Sequence, residues 1–242
     1  MAEHNPLSQF EITPWVPLHI GGIDISFTNS ACTMIVCVVL ICLWLIGSMR
    51  SRALVPGRAQ GAAELSYQFV AGMVKDAVGS EGRRYFPFIF SVFIFILFSN
   101  MMGMVPYVFT TTSHIVVTFA MATLIFLGVT VIALIRHKHA FFSFFLPHGT
   151  PWWLAPLMII IELFAYLARP VSLSIRLAAN MTAGHVLLKV IAAFVVAMGV
   201  WGFIPIPFIV VLTAFEIFIA ILQAYIFTIL TCVYLNDAIH LH

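Results

Sequence analysis

Five stretches of this chain, residues 27–48, 86–106, 114–135, 151–199 and 203–235, are predominantly apolar over about 20 residues or more. A run of that length matches the roughly 30 Å hydrocarbon core of a bilayer, where no water meets a bare backbone and a spanning helix satisfies its own N–H and C=O groups. The composition agrees, since 62% hydrophobic residues against 8% charged leaves too little polar surface to coat a soluble globule. The chain therefore reads as an all-α integral membrane protein of about five membrane helices. A net charge of +2 gives no basis for nucleic-acid binding. Cys32, Cys37, Cys42 and Cys232 lack metal-like or disulfide-like spacing and read as small apolar residues. The opening "MAEHNPLSQFEITPWVPL" has neither the basic start of a signal peptide nor the Arg- and Ser-rich character of a transit peptide, so direct insertion is expected.

Basic residues orient the spans. The first membrane helix, residues 27–49, ends at "RSRALVPGR", where Arg50, Arg52 and Arg58 place that end inside and the N-terminal segment 1–26 outside. Residues 58–84 follow, with Leu65, Phe69, Val70, Met73, Val74 and Val78 at helical spacing beside Glu64, Lys75 and Asp76. That pattern predicts an amphipathic helix anchored at the inner interface. Residues 86–136 supply two more membrane helices, joined by the charge-free outer loop "YVFTTTSH" and ending at the basic "RHKH". Of eleven Lys and Arg, Arg50, Arg52, Arg58, Lys75, Arg83, Arg84, Arg136 and Lys138 fall on the predicted inner side. His137 and His139 have metal-compatible spacing, but in a basic interfacial loop they read as a solvated turn.

Residues 151–242 behave differently. Helices over 151–199 and 203–235 would be about 70 and 48 Å long, too long to stand upright in the hydrocarbon core. Either they break, with Pro170 the obvious point, or they lie steeply tilted as a hairpin turned by "GVWGFIPIPF". All the membrane-embedded charge is here: Glu162, Arg169, Arg176, His185, Lys189 and Glu216. Each costs at least about 2.5–3.5 kcal/mol on insertion scales, which marks the segment as functional.

Helical geometry sorts these groups. Glu162, Arg169 and Arg176 recur every seven residues and form one stripe, with Ser172 and Asn180 one turn to either side of Arg176. His185, nine residues on from Arg176, points about 180° away. Glu216 and Gln223 share a face of the last helix with the small Ala220 between them. Arg169 could simply neutralise Glu162, whereas Arg176 has no carboxylate one turn away, and an anion from another chain is expected to meet it. His185, Glu216, Asn180 and Gln223 together suit a proton relay. Ala178, Ala179, Ala183 and Gly184 thin the surface beside Arg176 as small residues do where a partner helix approaches. Lys189 is assigned no role.

The segments "PVSLSIRLAANMTAGHVLL" and "AFEIFIAILQAYIFTILTCVYL" resemble the two signature helices of the F-type ATP synthase subunit a family, also known as subunit 6. The resemblance extends to "PLSQFEI", to "SNMMGMVPY" and to the order of spans, so it covers nearly the whole chain. The histidine of "AGH" and the acid of "FEI" resemble the alphaproteobacterial and mitochondrial type; Ala178 and Ala179 replace the Phe and the Gly or Ala of many relatives. The resemblance implies a tilted hairpin over 151–242 that faces a ring of c subunits. Arg176 matches the family's essential arginine, which attracts ring carboxylates into their ionised form. Glu216, His185, Asn180 and Gln223 match its outer half-channel, and Glu162 and Ser172 positions on its inner side.

The implied function is that of a proton-channel subunit, non-catalytic in itself, partnered by the c-ring, the b subunits of the peripheral stalk, the remaining ATP synthase subunits and membrane lipid. A bacterial inner membrane is expected, with the N-terminus outside, or alternatively a mitochondrial inner membrane. No cofactor or metal is expected, and no phosphate-cradling G-x-x-x-x-G-K-[ST] motif is present. A proton-coupled secondary transporter would show internal repeats, and none is found between the halves. A haem-binding respiratory subunit would need facing pairs of intramembrane histidines, and only His185 lies well inside a span.

Overall fold

The structure is a computed structural model that describes residues 12–17, 19–20, 23–24, 26–50, 55–105, 108–138 and 153–239. Two short antiparallel ribbons open it, β1 (Pro14–Val16) with β4 (Phe27–Thr28) and β2 (His19–Ile20) with β3 (Ile23–Asp24). These elements are too short to show any periodicity, so the sequence carried no sign of them. Six α-helices follow: α1 (Asn29–Arg50), α2 (Arg58–Val78), α3 (Phe86–Gly103), α4 (Ile115–His137), α5 (Ala155–Ala197) and α6 (Ile206–Ile239). The Thr28 hydroxyl accepts from the Ala31 N–H at 3.3 Å and starts α1 as an N-cap residue does.

Five helical segments are long and apolar enough to cross a membrane: Asn29–Arg50, Arg58–Gly103, Ile115–His137, Ala155–Ala197 and Gly199–Ile239. The protein is an all-α membrane protein, as its apolar runs predicted. Helix α6 lies at the centre, packed against α2, α3, α4 and α5. Its inner stripe is made of small residues, Ala220, Ala224, Thr228 and Thr231, all fully buried. The two threonines return their hydroxyls to their own helix, at Ala224 O (2.7 Å) and Phe227 O (2.8 Å), and so pack as small apolar groups. Val70, Ile89, Phe93, Ile125, Leu177 and Phe227 fill the space around that stripe.

Polar contacts fix the helices in register. The Asn100 amide of α3 donates to Ala220 O on α6 (3.1 Å), and the Thr130 and Tyr166 hydroxyls join α4 to α5 at 2.6 Å. His137 Nε2, at the end of α4, donates to two of the last carbonyls of α6, Ala238 O (3.0 Å) and Ile239 O (3.2 Å), which have no intrahelical partners. His139 lies outside the described residues.

Helix α5 runs unbroken for 43 residues through Pro170, about 65 Å, and α6 for 34 residues. Of the two possibilities left by sequence, the long hairpin is the one formed. Pro170 is buried, and one turn on the Ser174 hydroxyl donates to Val171 O (2.9 Å). The turn is a short 3₁₀ segment, Gly199–Phe203. Gly199 has φ +54, and a Cβ at Gly202 would strike the Val195 carbonyl oxygen, so both positions require glycine.

Two details go beyond the sequence reading. On α2, Val70, Met73, Val74 and Val78 are buried, whereas Leu65 is 69% exposed and Phe69 half exposed, so part of its apolar face packs on the protein and part does not. In the outer loop Thr110, Thr111 and Thr112 are buried, and the turn they open packs against α3 and α5.

Candidate functional site

The polar groups singled out in the sequence are distributed along the hairpin in two places, with one cation between them. On the side of the 110–114 loop, His185 Nδ1 lies 3.2 Å from Glu216 Oε1, and both side chains are buried. His185 Nε2 is 3.3 Å from the Thr110 hydroxyl, and Thr182 donates to Ser113 O at 3.1 Å, so the loop is sewn onto α5. Gly184 makes the meeting of α5 and α6 possible, because a Cβ there would lie 2.6 Å from Glu216 Oε1. The small residues beside Arg176 thus divide. Ala178 and Gly184 accommodate elements of the same chain, while Ala179 and Ala183 remain exposed.

Two turns of α6 further from the 199–203 turn, the Asn180 amide donates to Gln223 Oε1 at 3.2 Å. Several buried polar atoms here have no partner within hydrogen-bonding geometry among the described residues: both Glu216 carboxylate oxygens, Gln223 Nε2, Asn100 Oδ1, Thr112 Oγ1 and His114 Nε2. The His185 contact with Glu216 is close in distance but misses that geometry. Unsatisfied buried groups of this density are the kind that internal water serves, and a water-lined path is what proton movement requires.

At the other end of the hairpin Arg169 pairs with Asp237 of α6, Nη1 to Oδ2 at 3.1 Å, and its guanidinium lies over the rings of Tyr166 and Tyr234 at 5.3 and 5.0 Å. Sequence spacing allowed Glu162 as the neutralising residue; the carboxylate found beside Arg169 is Asp237 of the adjacent helix, which spacing within α5 could not reveal. Glu162 is half-buried and Ser172 exposed, and no hydrogen bond joins either to the buried polar groups. Arg176 lies between the two ends, about 13 Å along α5 from His185 and about 21 Å from Glu162. It is exposed on the stripe that carries Ser172, Ile175, Ala179, Asn180 and Ala183, and among the described residues it forms no ion pair. Asn100, Thr110 and Asp237 are the participants that sequence reasoning missed. The contacts that bring them to the hairpin are to residues far away in the chain, and only the "SNMMGMVPY" motif pointed to one of them. Among the described residues no group of three or more His, Cys, Asp and Glu is placed to hold a metal ion.

The fold and these buried ionisable groups define a class: a multi-pass membrane protein that handles charge within the bilayer. The chain belongs to the ATP synthase A chain family, whose model matches residues 30–236. Membership makes it a proton-translocating component of the membrane sector of F-type ATP synthase, working with the c-ring.

Proposed function

We propose that this chain forms the stationary wall of a two-part proton path, with Arg176 between an outer half-channel built on Glu216, His185, Asn180 and Gln223 and an inner one that includes Glu162 and Ser172. The observation that carries the reading is the contrast between two arginines on one helix. Arg169 is paired with Asp237, whereas Arg176 is exposed and forms no ion pair among the described residues. An unpaired guanidinium is costly in a membrane, and a carboxylate carried past on a ring offsets that cost while it is ionised. A ring carboxylate that leaves Arg176 must take up a proton before it turns into lipid. The transmembrane potential, about 2.3 kcal/mol per charge per 100 mV, then biases which half-channel supplies it.

The same reading assigns residues 1–26 to the outer side, 27–49 and 86–136 to membrane helices, 58–84 to the inner interface and 151–242 to the ring-facing hairpin. The b subunits and the rest of the synthase complete the assembly. The membrane is a bacterial inner membrane with the N-terminus outside, or a mitochondrial inner membrane.

The test replaces the cation. A guanidinium stays protonated where it is poorly solvated, whereas a lysine amine readily loses its proton on burial. Arg176→Lys should therefore fail nearly as badly as Arg176→Ala, with ATP synthesis below about a tenth of the unmodified rate in both. Arg176→Ala should also leak protons passively through the reconstituted membrane sector. Synthesis near the unmodified rate in Arg176→Ala would make Arg176 a packing residue.

A further inference from the structure

We infer that Thr110, at the start of the 110–114 turn, is a positioning residue that fixes the tautomer of His185; the inference rests on the outer half-channel reading. Thr110 is 1% exposed, and its hydroxyl has two neighbours, His185 Nε2 at 3.3 Å and Gly103 O at 3.4 Å. A carbonyl can only accept, and the hydroxyl has one proton to give. We assign that proton to Gly103, the neighbour that can only accept, so that the hydroxyl accepts from the ring and His185 carries its resident hydrogen on Nε2. Nδ1 then carries no hydrogen and lies 3.2 Å from Glu216 Oε1.

The hydroxyl is held in place from both sides. A Cβ at Gly103 would lie 2.6 Å from Thr110 Cγ2, so the glycine makes room for the threonine against the end of α3. On the other side the Ser113 hydroxyl donates to Thr110 O at 2.7 Å and closes the turn. Lys189, a charged group near His185, lies one turn along the same helix.

The consequence is a defined place for the proton in transit. With Nε2 already occupied, a proton delivered to His185 can bind only at Nδ1 and gives the imidazolium. Its transfer to Glu216 Oε1 breaks the Nδ1–H bond, forms O–H, and leaves a neutral ring beside a neutral carboxylic acid. Without the hydroxyl, the ring can rest with its hydrogen on Nδ1 instead, and an incoming proton must then enter at Nε2, so the single defined point of entry is lost.

The experiment uses the whole complex in sealed vesicles and measures ATP-driven proton pumping for four variants, Thr110→Val, Thr110→Ser, His185→Ala and Thr110→Val with His185→Ala, normalised to assembled complex. Valine keeps the shape and removes the hydroxyl, and should slow pumping about fivefold, as expected for one lost neutral hydrogen bond. Serine restores the hydroxyl and should return pumping to within about twofold of the unmodified rate. The double variant should be no slower than His185→Ala alone, because Thr110 acts only through that ring. Serine as slow as valine, an unaffected valine variant beside a slowed His185→Ala, or losses that multiply in the double variant would each overturn the inference. Normal pumping in His185→Ala would instead remove the half-channel reading beneath it. If Thr110→Val does not assemble, Thr110→Ala against Thr110→Ser isolates the same oxygen and carries the same expectations.

Discussion

Glu216 has a carboxylate in one of the most confined positions of the molecule, 5% exposed and pressed against the α-carbon of Gly184. Glycine is needed there for the side chain opposite and not for backbone conformation. Gly184→Ala should displace the carboxylate from His185 at a cost of about 1–3 kcal/mol of overpacking, and should slow proton flux while the complex still assembles. Flux equal to that of the unmodified complex would show that the separation of His185 and Glu216 is unimportant. His114 presents the opposite case, a titratable group whose burial is a liability. It stacks on Phe109 at 4.9 Å at the start of α4, outside the spans, and desolvation pushes its imidazole below the usual histidine range. The unfolded chain therefore binds this proton at higher pH than the folded one. Stability gained from a neutral His114 is complete above the ordinary value of about 6.5 and is lost as pH falls below it. Thermal unfolding of the complex followed between pH 5 and 7 should show a shallower pH dependence in His114→Gln than in the unmodified protein.

Among the elements, the α5–α6 hairpin concentrates both the chemistry and the structural demands. Its turn tolerates no side chain at Gly202, where the Val195 carbonyl oxygen is too near for a Cβ, and Gly202→Ala should lower the yield of assembled complex through a forced shift of backbone. Unchanged yield and pumping would mean that the turn opens without consequence. The far end is closed by Arg169 and Asp237, an ion pair only about a quarter exposed. Removing one partner leaves an uncompensated charge among Tyr166 and Tyr234, so Asp237→Ala should destabilise the complex by about 1.5–3 kcal/mol. Replacing both residues with leucine should cost less than that single change, and a larger loss in the double variant would show that the pair contributes more than mutual neutralisation.

For the whole molecule, the proposed orientation, argued from alternation of the spans and the basic clusters, puts Gly57 and Lys138 inside and the 199–203 turn outside. In a background with Cys32, Cys37, Cys42 and Cys232 replaced, Gly57→Cys and Lys138→Cys should react with an impermeant thiol reagent from the inner side only, and Val200→Cys, 90% exposed, from the outer side only. Labelling of any of the three from the opposite side breaks the assigned topology. Thr111 is unsuitable for such a probe, because it is buried although it belongs to a connecting loop. An ion pair between Arg136, near the end of α4, and Glu81 ties in the 3₁₀ segment Gly79–Tyr85 that follows α2, while α2 itself packs against α3 and α6.

What the sequence determined by itself is whatever depends on the solvent and on period along one helix. Uninterrupted apolar runs fixed the helical membrane architecture, and the 3.6-residue repeat set Arg176 on a different face from His185 and put Glu216, Ala220 and Gln223 on one face. Tertiary structure decided which residues meet across helices. Asp237 rather than Glu162 neutralises Arg169, a threonine from a connecting loop reaches His185, and half of the apolar face of α2 remains exposed. Those outcomes depend on contacts between residues as much as 75 positions apart, such as Thr110 with His185, and they follow from how six helices share a limited interior. Local periodicity says which way a side chain points, and only packing says what it finds there.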